Sequence, residues 1–329
     1  MITQLILSFF ISFVIAVIAS IILIPVLRKM KAEQAIQEDG PVWHQKKQGT
    51  PTMGGIIFIS STIIAVIAIG FKNMLEGDFS HIYVLIFALI FALIGFLDDY
   101  EKVKKKQNLG LRAKQKFVLQ LIAAVIFVII MRLTGNITLD IYIPFIGVSF
   151  SLPAVIYYIF AAFVVTGTVN AVNLTDGVDG LASGVTIPVT AVFTLIALLR
   201  NDSLNGIIAA AITGGLVGFL IFNFYPAKVF MGDTGSLFLG GAVCALAFSL
   251  DMPLILIIIG FVYFTETLSV ILQVSYFKLT KGKRIFKMAP IHHHFEKSGW
   301  SEYKVFAVFT AVSIICAVLA YFSVYQRYL

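Results

Sequence analysis

Leu93-Ile94-Gly95-Phe96-Leu97-Asp98-Asp99-Tyr100-Glu101-Lys102-Val103-Lys104-Lys105-Lys106 decides how the rest of the chain is read. An apolar run long enough to cross a bilayer stops at two adjacent carboxylates and a block of lysines. Neighbouring aspartates at the end of an apolar helix are costly unless something cationic or reactive needs them. The first expectation is that they meet a metal and a phosphate at a membrane surface.

The 329 residues are 59% hydrophobic and only 12% charged, with mean hydropathy +0.97, so a soluble domain is excluded. At about 20 residues per crossing, ten apolar segments can be drawn: Leu5–Leu27, Gly54–Phe71, Ile82–Leu97, Phe117–Met131, Ala154–Val172, Leu181–Leu199, Gly206–Phe224, Leu237–Leu250, Pro253–Phe277 and Val305–Tyr325. Those starting at Ile82, Phe117 and Leu237 are short and are expected to extend into their flanks. The first lacks the basic leader of a cleavable signal and reads as a permanent helix. With no linker, heptad or internal repeat, residues 1–329 read as one all-α, multi-pass membrane domain. Tyr142 to Pro153 alternates and carries two prolines, which suits a small hairpin or a loop.

A net charge of +7 raises nucleic acid as a partner, but the positions of the charges argue for a membrane instead. Of the 24 Lys and Arg, only Lys72, Arg132, Arg200 and Arg327 fall outside the odd-numbered loops. By the positive-inside rule those loops are cytoplasmic and both termini lie on the other side of the cell membrane. No nucleic-acid role is expected.

The same sorting gathers the polar motifs on one face. Asn173-Leu-Thr-Asp176-Gly-Val-Asp179-Gly180 lacks the length and terminal Glu of an EF-hand. Its glycines permit close backbone approach, and its acids and amide suit hydroxyls or a hydrated Mg²⁺. Met231-Gly-Asp233-Thr-Gly-Ser236 precedes a helix that Ser236 or Thr234 could cap, leaving N–H groups for an anion. Upstream, Asn223 and Phe230 offer an amide and an aromatic ring to a nucleobase. Consecutive His292-His293-His294 cannot readily converge on one zinc ion, and histidine suits a phosphate near neutral pH. Lys47 lies just before Gly49-Thr-Pro-Thr52-Met-Gly-Gly55, whose glycines suggest close packing. Glu266, deep in the ninth segment, must face protein or water, and a structural role is the simpler reading. Four such motifs from separate loops suggest a single assembled site.

In this order, from Gly49 to Glu296, the motifs resemble those of the polyprenyl-phosphate N-acetylhexosamine-1-phosphate transferases. The paired aspartates, Asn-x-x-Asp-Gly-x-Asp-Gly and Gly-Asp-Thr-Gly-Ser mark the superfamily. Gly49 to Gly55 and Ala289-Pro-Ile-His-His-His-Phe-Glu296 match its bacterial phospho-N-acetylmuramoyl-pentapeptide-transferase branch. The resemblance implies transfer of phospho-N-acetylmuramoyl-pentapeptide from its UDP donor to undecaprenyl phosphate, giving lipid I and UMP. It implies Mg²⁺ with Asp233 as ligand, and Asp98 as base on the lipid phosphate or as nucleophile, supported by Asp99. His292, Asp176 and Lys114 are implied in catalysis. Lys47, Thr52, Lys102, Lys106, Asn173, His293 and His294 are implied in substrate contacts, with Asp179, Asn223 and Phe230 in a uridine pocket. A homodimer and a bent ninth helix with a lipid groove complete the expectation. A sister enzyme using UDP-N-acetylglucosamine is the near alternative, opposed by the histidine motif. A transporter would show polar residues at both faces or at the midplane.

Overall fold

The computed structural model describes residues 1–30, 47, 49–105, 107 and 109–325 of the chain. Its helices are α1 (Ile2–Lys29), α2 (Gly55–Leu75), α3 (Ser80–Lys105), α4 (Ala113–Leu133), α5 (Ala154–Thr175), α6 (Leu181–Leu199), α7 (Ser203–Asn223), α8 (Gly232–Ser249), α9 (Leu256–Ile259), α10 (Phe261–Leu279), α11 (Ile291–Glu296) and α12 (Glu302–Tyr325). Among the described residues nine helices are long and apolar enough to cross a membrane, and ten spans result when the broken ninth is included. Helices satisfy their own backbone hydrogen bonds, which is why an apolar chain of this composition folds as a helical bundle.

The expected segments are all present, with polar extensions. α3 begins at Ser80 and runs through Asp98 and Asp99 to Lys105, because the acids and lysines one turn apart pair along it. α4 starts at Ala113 and α8 at Gly232, both earlier than their apolar runs. The ninth segment is broken: a 3₁₀ turn at Pro253–Ile255 leads into α9, and the chain bends by 79° before α10. Between α4 and α5 the alternating stretch forms an antiparallel hairpin, β1 (Asp140–Ile143) with β2 (Val148–Ser151), in register Asp140 to Ser151.

α8 is buried along nearly its whole length, whereas α1 and α12 leave most of theirs exposed. It packs against α3, α5 and α2, and so sits at the centre of the bundle. Small residues allow that crowding. A Cβ on Gly95 of α3 would fall 2.1 Å from the Asp233 carbonyl oxygen, so α3 and α8 touch backbone to side-chain-free backbone. This contact carries Asp98 and Asp99 to the start of α8.

Candidate active site

Asp98, Asp99 and Asp233 form a cluster whose carboxylate oxygens lie within 4.8 Å of one another. Asp98 and Asp99 are 3% and 2% exposed and Asp233 is half-buried, so three acids meet where water screens them poorly. Two lysines offset them. Lys102 Nζ lies 2.6 Å from Asp98, 2.9 Å from Asp233 and 3.8 Å from Asp99. Lys116 Nζ lies 2.7 Å from Asp233. Asn173 Nδ2 donates to Asp233 at 2.9 Å and to Ser236 Oγ at 2.8 Å.

Asp99 has a structural task. It accepts from the backbone N–H groups of Asp233 and Thr234 at 3.1 and 2.9 Å, and from the Thr234 hydroxyl at 2.7 Å. The anion at the positive end of α8 is therefore Asp99 itself, where Thr234 or Ser236 had been expected to cap. Ser236 instead donates back to the Gly232 carbonyl. Gly232 is in the left-handed region (φ 69°), and a Cβ there would fall 2.5 Å from Asp99 and 2.8 Å from the Thr52 hydroxyl. Thr52 is buried, with no hydrogen-bond partner for that hydroxyl. Asp98 keeps Oδ1 on the Leu111 N–H at 2.8 Å.

A second group surrounds His292, which is fully buried in α11. Its Nδ1 lies 2.9 Å from Glu266 Oε2 of α10, and its backbone N–H reaches the same oxygen at 3.4 Å. Its Nε2 faces Gly177, where a Cβ would come within 2.2 Å. His293 pairs with Glu296 at 2.7 Å, and His294 Nδ1 accepts from the Lys287 N–H at 3.1 Å, so the three imidazoles have different partners.

The third group centres on Lys47, 2.7 Å from Asp179 and 2.6 Å from Glu302 of α12, with the Tyr225 ring 5.9 Å away. Burial works to lower the Lys47 pKa, but Asp179 and Glu302 outweigh it and raise it above the ordinary lysine value. Asp179 also accepts the Ala227 N–H at 2.9 Å.

One loop joins all three groups. From Asn173 to Gly180 it gives Asn173 to Asp233, Gly177 to His292 and Asp179 to Lys47. Asp176 lies within it, half-buried; burial first, then the charges of Asp233, Asp99 and Asp179, push its carboxyl up to about 8.

A family model described as glycosyl transferase family 4 matches residues 81–251, and the phospho-N-acetylmuramoyl-pentapeptide-transferase signature 1 matches residues 47–59. Phospho-N-acetylmuramoyl-pentapeptide-transferases of Clostridium acetobutylicum and Bacillus subtilis are each 48% identical to this chain. The matches span 96% of this chain and 98% of the former, and 93% and 94% for the latter. That of Staphylococcus carnosus is 49% identical over 94% of this chain and 96% of its own length. The chain belongs to the phospho-N-acetylmuramoyl-pentapeptide-transferase family. The wider model spans the aspartate cluster and the Asn173–Gly180 loop, whereas the family's own signature takes in Lys47 and Thr52.

Against the residues expected for such a transferase, Asp98, Asp99, Lys102, Asn173 and Asp233 are brought together directly. Lys114 is exposed on the first turn of α4, and Lys116, on the opposite face, is the lysine that reaches Asp233. Asn223 is buried with its amide engaged: Nδ2 donates to the Val229 carbonyl at 2.9 Å and Oδ1 accepts from Ser183 at 3.1 Å. Phe230 is half-buried, and its backbone ties to Pro51 and Gly54, both at 2.8 Å. Lys106 lies outside the described residues. Lys116 and Glu302 were missed. Lys116 carried a signal in its position one turn before the buried Gln120 on the same face of α4.

Proposed function

We propose that this chain transfers phospho-N-acetylmuramoyl-pentapeptide from its UDP donor to undecaprenyl phosphate, producing lipid I and UMP at the cytoplasmic face of the cell membrane. The observation that carries the reading is the cluster of Asp98, Asp99 and Asp233 with Lys102 and Lys116, held by a loop that also reaches His292 and Lys47. Donor and acceptor are both phosphates, so catalysis has to come from positioning and from neutralising charge.

The donor set suits Mg²⁺: three hard carboxylates sit close enough to share one ion, and Asp233 is held by lysines that a dication could relieve. Asp233 would hold the ion, with Asp98 and Asp99 beside it. When bound, Mg²⁺ neutralises the diphosphate and the departing phosphate. An oxygen of the lipid phosphate bonds to the phosphorus bearing the sugar, and the bond to the α-phosphate breaks to release UMP. Lys102 and Lys116 balance the anions brought together. Asp98 is the carboxylate left for the acceptor, since Asp99 caps α8. It removes the acceptor's proton, or it attacks the phosphorus itself and expels UMP, after which the lipid phosphate displaces Asp98 from that phosphorus; only the second route leaves a phosphorylated enzyme to be trapped without lipid.

The nucleotide is read to lie along the Lys47–Asp179 side, with Asn223 and Phe230 shaping the wall of the uridine pocket through the loop they anchor. The acceptor's polyprenyl tail has a place in an apolar cavity of about 590 Å³ between α4, α5 and α10, lined by Phe117, Leu121, Tyr158, Phe163 and Thr267. The family's homodimer belongs to the same reading, with cross-linking in membranes as its check. Purified protein given undecaprenyl phosphate and either UDP-N-acetylmuramoyl-pentapeptide or UDP-N-acetylglucosamine decides the donor. A lipid product formed only from the first is expected, and product only from the second would overturn the assignment.

A further inference from the structure

A glutamate inside a membrane span needs a partner, and Glu266 has chosen one across 26 residues of chain. Both Glu266 and His292 are fully buried. One carboxylate oxygen receives the His292 backbone N–H at 3.4 Å and lies 2.9 Å from Nδ1, which fixes the ring in two places. The other imidazole nitrogen, Nε2, is buried with no hydrogen-bond partner, as is Glu266 Oε1. What faces Nε2 is the side-chain-free Gly177, in the loop whose neighbouring residues reach Asp233 and Lys47. A buried ring nitrogen without a partner is unfavourable, and this one opens onto the stretch of chain that reaches the aspartate cluster.

We propose that Glu266 is a positioning residue for His292. Its carboxylate keeps the proton on Nδ1, fixes the plane of the ring and aims Nε2 through the Gly177 gap at the anionic diphosphate of the donor. The identity of that anion rests on the proposed function; the pairing of Glu266 with His292 does not. The arrangement follows the general rule that a carboxylate behind a histidine sets its tautomer, orientation and basicity. Beside the ring stand Glu266 of α10 and His293 of α11, and Asp176 precedes Gly177 in the chain.

The test uses Glu266→Gln in the full chain, with two readouts. Nitrogen-15 NMR of the His292 ring without substrate is expected to show the proton held on Nδ1 in wild type and both tautomers in the variant, because a glutamine amide can pair with either. Turnover is expected to fall roughly tenfold or more, with the donor KM and the thermal midpoint close to wild type. An unchanged tautomer signature overturns the pairing, whatever the enzyme's substrate. Unchanged kcat, or a loss of kcat that tracks a collapsed thermal midpoint, overturns the positioning role. A tautomer change between wild type and variant, with wild type that releases no UMP, would instead sink the functional reading.

Discussion

The two ends of the helical bundle use the same residue type in opposite ways. At the hairpin end each aspartate serves a turn, a cap or a tie between connections. Asp78 accepts from Ser80, Asp202 caps α7 through Asn205, Asp251 accepts from Thr138, and Asp140 pairs with Ser151 across the hairpin. At the motif end Asp98, Asp99 and Asp233 crowd together, and beyond Lys102, one turn on in α3, their partners come from other helices, α4, α5 and α8. Local caps stabilise an element whatever its neighbours do. A cluster of buried like charges is tolerable only where lysines, or a bound cation, complete it. The difference separates acids that serve one element from acids gathered into the proposed site.

The sharpest way to break that contrast is Asp233→Asn. It should cut UMP release by roughly a hundredfold or more in folded protein; near-normal turnover in saturating Mg²⁺ would remove Asp233 from the chemistry. Next comes the pair Lys116→Ala and Lys114→Ala. Replacing Lys116 should cost about tenfold or more in kcat/KM, since it leaves Asp233 short of a partner, while Lys114 should tolerate the change. Equal losses would undo the assignment.

A third prediction concerns pH. With its carboxyl raised from 3.8 to about 8, Asp176 stays protonated in the folded protein where the unfolded chain has already ionised. The folded state therefore binds more protons between these values, and stability falls as pH rises through them. In EDTA, the wild type should lose thermal stability relative to Asp176→Asn from about pH 4 towards pH 8, and the gap should level off above that. A pH-independent gap would contradict it. The smallest effect is at the hairpin end: Asp202→Ala should destabilise by about 1 kcal/mol, read by thermal unfolding, with kcat unchanged.

Much of this was legible in the sequence, because membrane spans and charged loops write themselves in composition. The ten segments, the hairpin and the gathering of four polar motifs all follow from hydropathy and the spacing of Lys and Arg. Three things were not legible, each for a reason of geometry. Lys114 and Lys116 are two residues apart on a helix and face opposite ways, which a run of basic residues does not reveal. Asp99 caps a helix 134 residues away, and no local capping pattern encodes a cap from another helix. Glu266 and Glu302 gain their roles only when α10 and α12 bring them to His292 and Lys47. Glu266 announced itself as an acid in a membrane span, but its partner was hidden by distance in the chain.

The most direct test is UMP release by the purified full chain, measured with and without undecaprenyl phosphate and Mg²⁺, for wild type and Asp98→Asn. Release that needs both additions and disappears in the variant is the predicted result. Sustained release by the variant, or by wild type in EDTA, would contradict a reaction run by the aspartate cluster.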